Sequence, residues 1–239
     1  MIVTRAPFRV SLFGGGTDFE SYFQKFPSKI LSFSINKYIY VIAKKRDDKF
    51  IYINYSRKEI SKKIKFIKHD IVRETLKYFN INFGIEISII SDIPSKGSGL
   101  GSSSALANAL ILAISKLNEK NLTQKEICKI AIEIEIKILK KPIGIQDQYG
   151  TAIGGIKIIS MNKSGIQIKK IKNKKLLSMI QDNSIIFDTR KSRKAEEILK
   201  KQKNLIKKNL KKLDNIREIS MHIIKNIKKI DLNLFILNL

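Results

Sequence analysis

Residues 94–104 read Pro-Ser-Lys-Gly-Ser-Gly-Leu-Gly-Ser-Ser-Ser. Gly97, Gly99 and Gly101 alternate, so the backbone can take positive φ there and approach a ligand with no Cβ in the way. Ser102, Ser103 and Ser104 lead into Ala105-Leu106-Ala107-Asn108-Ala109-Leu110, a strong helix former. A glycine turn that opens a helix offers amide N–H groups and the positive end of the helix dipole to an anion. First-turn hydroxyls can add contacts to phosphate or to a divalent cation. The same residues also suit a flexible loop with serine at a helix start. No Gly-Lys-Ser/Thr closes the loop, which excludes a Walker A sequence, and Ser102 stands where the dinucleotide fingerprint needs its third glycine. A phosphate cradle of another kind remains.

Two more stretches carry groups able to do chemistry. Near the N-terminus, Arg5-Ala6-Pro7-Phe8-Arg9-Val10-Ser11-Leu12-Phe13 alternates as a strand does and runs into Gly14-Gly15-Gly16-Thr17-Asp18. Thr17 and Asp18 bring a hydroxyl and a carboxylate next to exposed backbone amides, a set suited to sugar hydroxyls and equally to a tight turn with a capping Asp. Further on, Pro142-Ile143-Gly144-Ile145-Gln146-Asp147-Gln148-Tyr149-Gly150 sets one carboxylate between two amide side chains in a glycine-flanked loop. Such a carboxylate can take a proton from a hydroxyl, or simply cap a polar turn.

In this order the three stretches resemble the GHMP kinase superfamily. That superfamily has an Arg-Ala-Pro-x-Arg opening, a Pro-x-x-x-Gly-Leu-Gly-Ser-Ser phosphate loop and a catalytic Asp in a Gly-x-x-Asp-Gln-like loop. The Gly-Gly-Gly-Thr-Asp turn, the Ile132-Glu133-Ile134-Glu135-Ile136 run and the Gln146-Asp147-Gln148-Tyr149 loop are most similar to the D-glycero-D-manno-heptose 7-phosphate kinases. The resemblance implies an α+β fold whose N-terminal lobe is a two-layer, ribosomal-protein-like α/β unit. It implies transfer of phosphoryl from ATP to the anomeric hydroxyl of a sugar phosphate, heptose 7-phosphate giving the 1,7-bisphosphate. A kinase for another sugar and an inactive lobe that only binds ligands stay open beside it.

By the same resemblance, Lys96, Gly97, Ser98, Gly99, Leu100, Gly101, Ser102, Ser103 and Ser104 hold the ATP phosphates. Ser103 and Glu135 hold Mg²⁺, and Asp147 orients or deprotonates the acceptor hydroxyl. Arg9 offsets charge on the transferred group, and Gly15, Gly16, Thr17 and Asp18 hold the sugar. Arg193, in Asp188-Thr189-Arg190-Lys191-Ser192-Arg193, is the candidate grip on the distal phosphate, since Arg can bind phosphate through two parallel hydrogen bonds.

Composition narrows the class further. The chain has 239 residues, 43% hydrophobic, enough for a real core. Net charge is +26, but the Lys is spread along the chain without basic clusters interleaved with aromatics, so nucleic acid is not the expected partner. Cys128 is the one cysteine, which excludes an intrachain disulfide and suits a reducing compartment. No apolar run approaches the ~18 residues of a membrane span, and no signal peptide is legible at Met1–Arg5. A cytoplasmic protein is expected.

The elements that must position these groups follow from periodicity. Arg9–Phe13, Ile30–Ser34, Tyr38–Lys44, Phe50–Asn54 and Gly84–Ser91 read as strands, and Asp70–Phe79 as a helix. Leu106, Leu110, Ala113 and Leu117 fall at helical spacing, so the glycine loop opens a helix. Residues 130–138 alternate like a strand, yet Thr123-Gln124-Lys125-Glu126 is a capping-box pattern and Ile127, Ala131, Ile134 and Ile138 make a helical stripe, so a helix is expected. Ile156–Met161 and Ile166–Ile171 read as a strand pair, Leu176–Gln181 as a helix, and Ser184–Asp188 as a strand. Residues 191–239 hold 14 Lys or Arg against 5 Asp or Glu, net +9, on amphipathic helical spacing. The expected organisation is an N-terminal ATP-binding lobe at 1–182 and the start of a C-terminal lobe at 183–239. The late glycine-rich motif of the superfamily is missing, so either the chain is a truncated product or fragment, or a homo-oligomer or a partner subunit completes the site.

Overall fold

The computed structural model describes residues 1–93, 98–187, 209–227 and 233. The fold is mixed α+β. Seven strands form one sheet in the order β4-β3-β5-β2-β6-β7, with β1 also paired to β2. These are β1 (Ile2–Phe13), β2 (Ser28–Arg46), β3 (Ile51–Asn54), β4 (Lys58–Ser61), β5 (Gly84–Ser91), β6 (Ile156–Asn162) and β7 (Gly165–Lys170). Among the described residues the helices are α1 (Glu20–Phe23), α2 (Asp70–Tyr78), α3 (Ser102–Leu117), α4 (Gln124–Ile132), α5 (Gln146–Ala152), α6 (Lys174–Asp182) and α7 (Leu210–Lys225). The chain divides into two compact units, the first being Met1–Phe8, Ile35–Lys141 and Asp147–Ile153, the second Arg9–Ser34, Pro142–Gln146 and Gly154–Leu239.

In the first unit, the later part of β2 pairs antiparallel with β5, from Ile39 opposite Ser91 to Arg46 opposite Gly84. Strand β3 runs parallel to β5 and antiparallel to β4. Alternation decides which face is buried. Ala6 and Phe8 of β1, Ile39, Val41 and Ala43 of β2, Ile53 of β3, and Ile85 and Ile87 of β5 all lie in one core with Leu76 of α2, Leu110 and Ile114 of α3, and Ile127 and Ala131 of α4. Helix α3 is buried along most of its length, and Thr4 Oγ1 bolts it to β1 by donating to Ala109 O at 2.7 Å.

The capping box settles residues 123–138. Glu126 N donates to Thr123 Oγ1 at 3.3 Å and Thr123 N to Glu126 Oε2 at 2.8 Å, so α4 starts at Gln124 as the sequence predicts. At Glu133 the helix widens into a π turn that lasts to Ile138. Leu139 N bonds to Ile134 O, five residues back, at 2.9 Å. The wider turn delays the rotation of the face, so Ile134 and Glu135 are both buried. An alternating Ile-Glu sequence thus folds as helix, with one carboxylate carried inside.

In the second unit, Ser28–Phe33 of β2 pairs antiparallel with β6, and β6 turns through Lys163-Ser164 into β7. Phe13, Leu31, Ile156, Ile158, Leu176, Ile180, Ile223 and Ile224 form its core. The hydroxyl of Ser220 on α7 donates to Lys29 O at 2.6 Å, and Tyr22 donates to Asp214 Oδ1 at the same distance. Two expectations change. Ile30–Ser34 and Tyr38–Lys44 are one strand, because the exposed Asn36 and Lys37 continue the extended backbone instead of breaking it. Residues 184–187 of the expected strand Ser184–Asp188 have no strand partner among the described residues, and Ile185 and Phe187 are exposed.

His69, just before α2, supplies a pH test within the first unit. Burial pushes its pKa down, against the opposing pull of Asp70 at 3.8 Å, and its Nδ1 is buried without a hydrogen-bond partner. The unfolded chain therefore takes up the imidazole proton first. Stability is full above the unfolded value near 6.5 and falls as pH drops below it. Thermal melts should show a smaller loss between about pH 7.5 and 5.5 for His69→Gln than for the parent chain.

Candidate active site

Helix α3 begins where a glycine ends the loop. Gly101 is the N-cap at φ +76°, a left-handed conformation that favours glycine. It gives the helix no side-chain cap, and Ala105 N bonds to Gly101 O at 2.9 Å. Before it, Ser98, Gly99 and Leu100 form the visible end of the loop, with Leu100 N donating to Ser98 Oγ at 3.4 Å. Ser102, Ser103 and Ser104 make the first turn. Lys96 and Gly97 lie outside the described residues, as does Arg193.

Ser103 and Ser104 meet Glu135, more than thirty residues later on the π turn. Ser103 donates to Oε1 at 2.5 Å and Ser104 to Oε2 at 2.6 Å. Gln148 of α5 donates from Nε2 to Oε2 at 2.8 Å. Glu135 is fully buried, and an ionised carboxylate taken out of water needs both hydrogen bonds and an opposite charge. Lys141 brings that charge. Its Nζ donates to Ser103 Oγ at 2.9 Å and stands 3.8 Å from Glu135 Oε1. The amide oxygen of Gln148, Oε1, is buried without a hydrogen-bond partner. The cluster thus joins oxygen ligands, a carboxylate and an ammonium at the start of a helix.

Helix α5 is fastened by Asn108, four residues after Ser104 on α3. Its Nδ2 donates to Gln148 O and to Thr151 Oγ1, both at 2.8 Å. Thr151 in turn donates to Asp147 O at 2.8 Å. These bonds fix the first turn of α5, where the half-buried Asp147 sits. Burial pushes the neighbouring Tyr149 hydroxyl up to about 12 and keeps it neutral.

The second unit holds the other predicted group. Gly14, at φ +86°, turns the chain so tightly that an added Cβ would lie 2.3 Å from Lys29 O. Thr17 is fully buried and donates to Gly14 O at 2.7 Å. Asp18, 2% exposed, accepts from Gly16 N at 3.1 Å, from Gln146 N at 3.1 Å and from Gln146 Nε2 at 3.3 Å. A Cβ on Gly144 would come within 1.9 Å of Asp18 Oδ2, so that loop is glycine because the carboxylate approaches it so closely. Gly15 and Gly16 stay partly exposed, while Thr17 and Asp18 hold the turn together. Arg9 is buried on β1.

Sequence reasoning therefore finds Ser103, Ser104 and Glu135, which the fold brings together. It misses Lys141, Gln148 and Asn108. The available signal was Asn108 alone, a polar residue on an otherwise apolar helix one turn after Ser104. Asn108→Leu should cost about 1–3 kcal/mol in urea denaturation, since it strips the donor from two buried acceptors at similar volume.

Comparison with known proteins follows the same outline. Residues 65–155 match the family described as GHMP kinases N terminal domain. The chain is similar to the D-glycero-alpha-D-manno-heptose 7-phosphate kinase of Campylobacter jejuni, 30% identical over 211 residues, which cover 82% of this chain and 62% of that protein. It is similar to the mevalonate kinase of Pyrococcus abyssi at 33% identity over 59% of this chain and 37% of that protein. The fold is similar to the crystal structure of a D-glycero-D-manno-heptose 1-phosphate kinase from Bacteriodes thetaiotaomicron, with TM-score 0.82 at 20% identity, covering all of this chain and 77% of that one. The chain spans less than two thirds of the length of either curated relative. Among the described residues no helix is long and apolar enough to cross a membrane.

Proposed function

We propose that this chain, which carries a GHMP kinase N-terminal domain at residues 65–155, is an ATP-dependent kinase acting on a sugar phosphate. The observation that carries the reading is the buried Glu135 carboxylate gathered against Ser103 and Ser104 at a glycine-capped helix start. Glycine-loop amides and the dipole of α3 suit phosphate oxygens. The donor set also fits Mg²⁺, a hard cation that takes one or two carboxylates and completes its shell with water and substrate phosphates. When bound there, Mg²⁺ would neutralise charge on the phosphates.

The remaining steps fall to the chain's own residues. Asp147 accepts the proton of the acceptor hydroxyl as its oxygen bonds to the γ-phosphorus and ADP departs. Arg9 offsets charge on the transferred group. Gly15, Gly16, Thr17 and Asp18 hold the sugar hydroxyls. Catalysis on this scheme is positioning and electrostatics. The preferred acceptor is D-glycero-D-manno-heptose 7-phosphate, by similarity to the Campylobacter jejuni protein, with Arg193 on the distal phosphate.

ADP release measured with heptose 7-phosphate, unphosphorylated heptose, galactose and mevalonate tests the reading. Turnover with the sugar phosphate alone is expected; nucleotide binding without turnover on any acceptor would leave only a binding module. Asp147→Asn should lower turnover by about 10²–10⁴ with the fold and nucleotide binding kept. Arg193→Ala should raise KM for the sugar phosphate and leave KM for ATP nearly unchanged.

A further inference from the structure

Lys141 has no place in the scheme so far, yet it occupies the centre of the cluster. Its side chain is 12% exposed, and the ammonium lies between two carboxylates. Glu135 Oε1 stands at 3.8 Å and the Ser103 hydroxyl at 2.9 Å. Asp70 Oδ2 is also at 3.8 Å, on a side chain 45% exposed at the first turn of α2. Ser103 already gives its proton to Glu135, so the Lys141 ammonium draws on the oxygen lone pairs of that hydroxyl. Those lone pairs, and the Glu135 carboxylate, are what a divalent cation would use.

We propose that Lys141 is the resident counter-ion of this cation site. Its ammonium neutralises Glu135 while no divalent cation is bound, and moves toward Asp70 when one binds. The proposal rests on the reading of Ser103 and Glu135 as cation ligands and adds a competitor built into the chain. Three physical points lead to it. A fully buried carboxylate without a positive neighbour is costly, so the cation-free protein needs Lys141 where it stands. An ammonium and a divalent ion on the same oxygens repel strongly at such distances, even with appreciable screening. Lysine is a compact charge on a flexible stem, so it can change partners without backbone movement, and Asp70 is within reach at 3.8 Å. A fixed structural ion pair would need no second, solvent-facing carboxylate at an equal distance.

Divalent-ion binding without nucleotide isolates this role from phosphoryl transfer. Mn²⁺ binding to the full chain can be followed by loss of the free-ion electron paramagnetic resonance signal, beside thermal melts with and without Mn²⁺. Lys141→Met should bind Mn²⁺ about tenfold more tightly or better than the parent chain, since a nearby positive charge is removed. Its cation-free form should melt lower, and Mn²⁺ should raise its melting temperature more. Asp70→Asn, a change at a half-exposed site, should weaken Mn²⁺ binding by taking away the ammonium's second partner, and it keeps the test decisive if Lys141→Met does not fold. Equal or weaker Mn²⁺ binding by Lys141→Met, or unchanged binding by Asp70→Asn, would overturn the proposal. Glu135→Gln marks the site itself. If that variant binds Mn²⁺ as the parent does, the ligand reading fails along with the proposal; if it loses binding while Lys141→Met gains none, only the competition fails.

Discussion

A carboxylate removed from water is unfavourable by several kcal/mol unless charge and hydrogen bonds replace its hydration. Glu135 is such a group, and the first unit is arranged to receive it. Two hydroxyls reach it from the first turn of α3, an amide from α5 and an ammonium from Lys141, three residues past the π turn. Each donor depends on a backbone feature elsewhere: Gly101 starts α3 in register, Asn108 holds α5 in place, and the capping box fixes where α4 begins. The glycine loop draws the eye in the sequence, but the buried charge dictates how three helices must meet.

The parts of this arrangement that are local in sequence were legible. A glycine run followed by serines and alanines states a helix start, and Thr123 with Glu126 states another, strongly enough to override the strand-like alternation of residues 130–138. Gly84–Ser91 matches its strand to the residue. Partners distant in sequence were not legible. Lys141 is one of 47 Lys and Arg residues, and nothing in its neighbourhood marks it as the one folded against Glu135. The stretch at 184–187 shows the converse. Isoleucine and phenylalanine favour strands only where a neighbouring strand and a covered face receive them, and the described residues supply no partner strand there.

In the second unit the turn at Gly14–Asp18 follows the same logic with backbone in place of helices. Asp18, a candidate for holding the sugar, accepts here from the amides of Gly16 and Gln146. Its nearness to Gly144 leaves no volume for a side chain there. Motif residues of this kind carry constraints of the loop itself, which composition and periodicity cannot reveal.

The π turn at Glu133–Ile138 has a consequence for how this segment can change length. A π turn accommodates about one residue more than an α-helix over the same rise. Deleting a single residue there would leave a regular helix, pack well and breach no rule of propensity. It would also remove the widening that lets Ile134 and Glu135 both face inward, while the residues beyond it keep nearly the same phase. Glu135 would then leave the core side, and the cluster would be lost without any of its residues being replaced. Substitution can change this site one group at a time, whereas a shift in length dismantles it at once.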